Sequence, residues 1–142
     1  MTGGAARLLV AWGTQAWAAE QAAADIWVAC KVPANATIIG GYLKCSDMDS
    51  NGTETIDIDV GYAANGAVAA DPDAFGNFGV LTGDAVAEIL PEGGQHLNLH
   101  GVLATAGPLT VTRDTDITVT FVDDAATFAA GRTTLVVFYV CP

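Results

Sequence analysis

The 142 residues suit one domain with a real hydrophobic core and leave little room for a second. With 51% hydrophobic and 15% charged residues, the composition is that of an ordered, β-leaning chain and excludes a disordered one. The 16 carboxylates against 5 bases give a formal charge of −11, which argues against DNA or RNA as a ligand, since no basic stripe offsets it.

The first 23 residues read as a stretch of their own. Leu8, Leu9, Trp12, Ala16 and Ala19 fall near helical spacing, interrupted by Gly13, which predicts an N-terminal arm or short helix (1–23) ahead of a β-sandwich domain (24–142). Arg7 and the Ala16-Trp17-Ala18 ending give it a faint likeness to a signal peptide, but the apolar core LLVAW is too short for one. No run approaches the length of a bilayer span. The tryptophans want burial, so Leu8, Leu9, Trp12 and Trp17 are the expected partner contacts of an arm that covers itself against a neighbour.

From Asp25 the period changes to two. Ile26, Val28, Cys30 and Val32 are expected on one face and Trp27, Ala29 and Lys31 on the other, until Pro33-Ala34-Asn35 ends the strand. A second strand over 37–45 alternates Ile39, Gly41, Leu43 and Cys45 with Ile38, Gly40, Tyr42 and Lys44, and Gly40-Gly41 suggests a bulge or a close backbone approach.

SDMDSNGTETIDID (46–59) places Asp47, Asp49 and Asn51 at alternate positions before Gly52, as a calcium loop does. The twelfth position, where the bidentate acid belongs, is Ile58, so the full motif fails. Asn51-Gly52 is instead expected as the bend of a type I′ hairpin. Asp47, Asp49 and Asn51 remain weak candidates for a cation shared with a neighbouring chain, and no metal or other cofactor is the main expectation. Beyond the bend, Ile56, Ile58, Val60 and Tyr62 face inward while Asp57 and Asp59 face out.

Asp71-Pro72-Asp73 is placed to start a short helical turn carrying Phe75 and Phe78 inward. Strands then follow in AVAEIL, LNLHGVL, LTVTR, DITVTFV and TTLVVFYV, the last apolar on both faces and so central in its sheet. About eight short strands without long helices predict an all-β, antiparallel sandwich or barrel.

Chemistry-bearing constellations are sparse. His96 and His100 would sit about 13 Å apart on a strand, too far to share an ion. Ser46 and Ser50 lie in the turn, outside any nucleophile elbow. Asp71/Asp73 and Asp123-Asp124 read as acidic turn residues, and Gly93-Gly94 lacks a phosphate-loop signature. Cys30, Cys45 and Cys141 have no CxxC spacing and read as free, mostly buried thiols of a reducing compartment.

VPANATIIGGYLKCSD, IDIDVGYA, DPDAF and ITVTFVDDAATFAAGRTTLVVFYV, in that order, resemble a group of small virion proteins of tailed bacteriophages. In that group an "lPANArIiGG" strand pair, a "tldvGya" strand, a "DpDaF" turn and a closing "G.i.v.v.Y" strand recur. The similarity covers residues 24 to 140 and falls on Pro33, Ala34, Asn35, Ile39, Gly40 and Gly41, on Val60, Gly61 and Tyr62, on Asp71, Asp73 and Phe75, and on Gly131 and Tyr139. These look like fold-determining positions, not a catalytic set.

The resemblance implies a jelly-roll-like sandwich on the capsid exterior. It also implies a non-enzymatic decoration or cement protein, in homotrimers over junctions of the major capsid protein, made in the host bacterial cytoplasm. The N-terminal segment departs from the group in being shorter and richer in tryptophan. The alternative is a carbohydrate-binding or host-adhesion module, because jelly-roll sandwiches often hold sugars on exposed aromatics.

Overall fold

The computed structural model describes residues 7–81 and 95–142, so the expected strand AVAEIL and Gly93-Gly94 lie outside the described residues. Among these residues are nine strands: β1 (Arg7–Trp17), β2 (Ile26–Val32), β3 (Thr37–Cys45), β4 (Asp57–Tyr62), β5 (Asp71–Val80), β6 (Gln95–Asn98), β7 (Leu109–Thr110), β8 (Thr115–Asp123) and β9 (Gly131–Cys141). One helical turn, α1 (Val102–Thr105), accompanies them.

The pairings nest. β4 pairs with β5, β3 with β6, β2 with β8 and β1 with β9, all antiparallel, as in one long hairpin. Rolling that hairpin brings β3 beside β9 and β4 beside β8. Two sheets result, a first of order β1-β9-β3-β6 with β7 also on β3, and a second of order β2-β8-β4-β5. This nested, rolled topology is the jelly roll. β9 lies between β1 and β3, the central position that its apolar character on both faces predicts.

Alternate residues of both sheets fill the space between them. Ile38, Leu43, Leu135 and Val137 from the first sheet meet Ile58, Val60, Ile117 and Phe121 from the second, all essentially buried. Each such side chain contributes about 1.5–3 kcal/mol over its exposed state.

Four local expectations are corrected. Residues 7–17 form neither an arm nor a helix. They pair with β9 from Arg7↔Cys141 to Trp17↔Gly131, which satisfies one side of their backbone throughout. Gly13, which would weaken a helix, serves a close approach here: a Cβ on it would come within 2.0 Å of the Ala29 carbonyl oxygen on β2. The stretch around Asn51-Gly52 is no hairpin, because β3 belongs to the first sheet and β4 to the second. It is a crossover, and neither residue has the positive φ that a type I′ turn needs.

Asp71-Pro72-Asp73 opens a strand, not a helical turn, and Pro72 is tolerated because β5 is the edge of its sheet. Phe75 is buried as expected. The strand in LNLHGVL ends at Asn98, after which Gly101 (φ 63) turns the chain into α1.

Two bulges also change which side chains share a face. The register of β2 shifts between Val28 and Cys30, so Ile26 and Val28 point out while Val32 is buried. In β3 the shift lies between Ile38 and Gly40, next to the expected Gly40-Gly41 irregularity. It buries Ile38 and turns Ile39 outward. The close approach expected there falls at Gly41, where a Cβ would meet the Val136 carbonyl oxygen at 2.2 Å.

Candidate interaction surface

The crossover from β3 to β4 shows what the acidic loop does. Asp49 is 1% exposed, and its carboxylate accepts five backbone N–H groups. Oδ1 takes those of Asn51 (3.2 Å) and Thr127 (2.9 Å), and Oδ2 those of Thr55 (2.8 Å), Ile56 (3.4 Å) and Ala126 (2.9 Å). Burial pushes its pKa up. The backbone donors outweigh that and hold it at about 2, because they stabilise the charged form.

Asp47 Oδ1 accepts the Asp49 N–H at 3.1 Å and Asn51 Oδ1 the Thr53 N–H at 2.9 Å, while Asn51 Nδ2 donates to Thr127 Oγ1 at 3.0 Å. The Asp-x-Asp-x-Asn alternation is thus a run of side-chain-closed turns with one buried anchor tying the loop to residues 126–127. Of the weak cation candidates, Asp49 thus commits both carboxylate oxygens to backbone N–H groups, while Asp47 and Asn51 each use one oxygen to close a turn. Among the described residues no group of three or more His, Cys, Asp or Glu is arranged to hold a metal ion.

The two histidines serve different neighbours. His96 packs edge-on against Tyr42 (ring centroids 4.6 Å apart), and His100, beyond β6, against Phe78 (5.1 Å). Cys30 and Cys45 are free thiols whose pKa is pushed up to about 12, in each case first by burial. That keeps both protonated and unreactive.

The four residues expected to contact a partner separate by strand parity. Leu8 (61% exposed) and Trp12 (63%) stand on the outer face of β1, together with Val10. Leu9 and Trp17 turn to the other face. Trp17 lies edge-on to Phe121 (5.4 Å) and Trp27 (6.0 Å), and its Nε1–H donates to Thr133 Oγ1 at 3.0 Å. Val10, Ile26 and Val28 are exposed as well. A period-two reading of 7–17 would have placed Val10 with Leu8 and Trp12; Ile26 and Val28 were expected on one face with Cys30 and Val32 because the bulge behind them leaves no mark in the sequence.

Charge divides between the sheets. The strands of the first sheet contain Arg7, Lys44 and Arg132 and no Asp or Glu. Those of the second contain Asp57, Asp59, Asp71, Asp73, Asp116 and Asp123, with Lys31 alone opposing them. Lys31 Nζ lies 3.4 Å from Asp116 Oδ1 on the surface.

Asp59, across from Thr120 on β8, is only 8% exposed. Oδ1 of Asp57, Oδ1 of Asp59 and the Thr120 hydroxyl are buried without a hydrogen-bond partner. Burial first, then the charges of Asp57 and Asp73, raise Asp59 to about 6; burial and Asp123 raise Asp57 as well. The alternation Ile-Asp-Ile-Asp made the shared face of these two acids legible. Their crowding came from strands distant in sequence.

No protein-family model and no curated relative matches the chain. Solved structures do. A chain of the cyanophage Pam1 capsid asymmetric unit superposes with a TM-score of 0.71 at 24% identity, covering 100% of this chain and 90% of that one. A chain of the Ralstonia phage GP4 capsid gives 0.72 at 20% identity, covering 100% and 89%. A chain of the acid-stable capsid of Helicobacter pylori bacteriophage KHP30 gives 0.62 at 15% identity, covering 95% and 88%. What the chain shares with these three phage capsid chains is the fold, and it shares it over nearly its whole length.

Proposed function

We propose that this chain is a non-enzymatic structural component of a bacteriophage virion. More specifically, it decorates the outside of a tailed-phage head as a cement protein, in homotrimers seated on the major capsid protein. The observation that carries the reading is the end-to-end likeness to chains of three phage capsids, 88–90% of each of which is covered in turn. The order of sequence motifs over residues 24 to 140 supports it from the other side.

The chemistry agrees. A charge of −11 suits an outer shell that must not trap nucleic acid. Three free thiols, of which Cys45 is buried, suit synthesis in a bacterial cytoplasm. Leu8 and Trp12, with Val10, offer the contact face, whereas Leu9 and Trp17 support it from behind. Cementing acts by mass action: many copies that bind only the mature shell stabilise it by bridging neighbouring capsomers. Trp17 packs edge-on against Phe121 and Trp27, and both tryptophans lie against the core, so they do not contribute to the exposed aromatic platform that a carbohydrate site would need.

Particles assembled with and without this protein test the reading. Those carrying it should withstand heat and osmotic shock that open those lacking it. Equal resistance would reject cementing, and binding on a glycan array would favour adhesion in its place.

A further inference from the structure

The Asn51-Gly52 pair, which makes no hairpin bend, sits where its own covalent chemistry is open to solvent. Gly52 and Thr53 are exposed on the crossover and Asn51 is half-buried. Among the described residues the Gly52 N–H donates no hydrogen bond, and a Cβ built on Gly52 would meet nothing within 4 Å. The Asn51 amide is held at both ends, but lightly. Its Oδ1 accepts the Thr53 N–H at 2.9 Å, and its Nδ2 donates at 3.0 Å to Oγ1 of Thr127, itself exposed. Hydrogen bonds so placed open locally at small free-energy cost.

A second Asn-Gly pair, Asn65-Gly66, supplies the contrast. Asn65 Oδ1 takes the N–H groups of both Ala67 (2.9 Å) and Val68 (3.0 Å), and the Asn65 N–H donates to the Val68 carbonyl (3.3 Å), so this turn closes on itself. Asn65 Nδ2 donates at 2.9 Å to Oγ1 of Thr115, a fully buried residue whose hydroxyl is fixed in turn on the Arg113 carbonyl. The Asn65 amide thus has three hydrogen bonds to give up before its Cγ can turn onto the next nitrogen, one of them to a buried partner. The Asn51 amide has two, both exposed.

We propose that Asn51 is a site of spontaneous deamidation, with water as the only co-reactant, and that the fold protects Asn65 from the same reaction. The Gly52 nitrogen attacks Cγ of Asn51 and the Cγ–Nδ2 bond breaks. Nδ2 leaves as ammonia with the proton of the Gly52 N–H, and a five-membered succinimide closes. Glycine permits the approach because no side chain crowds its nitrogen. Water then opens the ring: attack at Cγ gives aspartate, and attack at the main-chain carbonyl gives isoaspartate, whose backbone runs through Cγ. Either product adds a negative charge beside Asp47 and Asp49 in a chain already at −11, and replaces the donor to Thr127 with an acceptor. Isoaspartate also lengthens the main chain ahead of Thr55 and Ile56, two of the residues whose N–H groups hold Asp49. The crossover therefore loosens from its anchor as the protein ages.

The test incubates the folded full chain in mildly alkaline buffer made with heavy-oxygen water and follows each asparagine by tandem mass spectrometry of its peptides. Asn51 should take up heavy oxygen about fivefold faster than Asn65, or more, and in denaturant the two should convert at similar rates. Gly52→Ala, at a position with room for the methyl group, should leave Asn51 largely unconverted over the same time. Circular dichroism checks the fold, and Gly52→Ser replaces this variant if it unfolds. The reaction is read on free protein, so its outcome is separate from any particle-binding result. An Asn51 that stays intact, equal rates for Asn51 and Asn65 in the folded chain, a rate ratio that denaturant leaves unchanged, or a Gly52→Ala chain that converts as fast as wild type would overturn the proposal.

Discussion

The two sheets of this sandwich are built by the same strand-by-strand alternation yet present opposite surfaces. The first is apolar and basic outside, with Trp12 and Leu8 in solvent. The second gathers Asp57, Asp59 and Thr120 with buried polar atoms left unpartnered. A structure optimised only for its own stability would pair or remove those groups. Their presence on one sheet, against an exposed apolar strand on the other, sets two regions of the same fold apart: one carries a folding cost inside the chain, the other leaves large apolar side chains in solvent.

Substitutions can break or sharpen that contrast. The largest loss is expected for Trp17→Ala, which removes the indole lodged against Phe121 and Trp27 and should cost about 3 kcal/mol in denaturant unfolding. Asp49→Ala should come close to it, at about 2–3 kcal/mol, since buried backbone donors of the crossover lose their acceptor. An unfolding midpoint like that of wild type would show that the crossover does not depend on this anchor.

Asp59→Asn should act in the opposite direction and more weakly, stabilising the monomer by about 1 kcal/mol at pH 8. Its carboxyl titrates near 6 when folded against an ordinary 3.8, so wild-type stability should rise as pH falls through 6 and level off near 4. Asp49, held at about 2, contributes fully above about 4 and loses that contribution as pH falls further. Thermal melts from pH 8 to 2 should therefore pass through a maximum, and Asp59→Asn should flatten its alkaline side. The smallest effect on folding, within about 0.5 kcal/mol, is expected for Trp12→Ala, five residues from Trp17 on the same strand but facing solvent. Its consequence should be on association alone.

Much of the fold was legible wherever the period of two ran unbroken. Ile56, Ile58, Val60 and Tyr62 were placed inward with Asp57 and Asp59 on the opposite face, where Asp59 is nonetheless buried, and TTLVVFYV was placed at the centre of a sheet. Legibility failed where one residue changed the parity, at Val28/Cys30 and Ile38/Gly40, because a bulge reverses every side chain beyond it without altering composition. It failed again at Asn51-Gly52, whose local preference for a hairpin yielded to a crossover anchored by Asp49. In residues 7–17, apolar positions compatible with a helix belonged to a strand paired with the far end of the chain. Of the four residues expected to seek cover, Leu8 and Trp12 are exposed, whereas Leu9 and Trp17 fall on the other face because the strand period replaces the helical one.

The most direct test of the proposed decoration role is a reconstruction of phage particles assembled in the presence of this protein. The account predicts jelly-roll density on the outer surface of the shell. Density inside the shell, or on the tail alone, would contradict it.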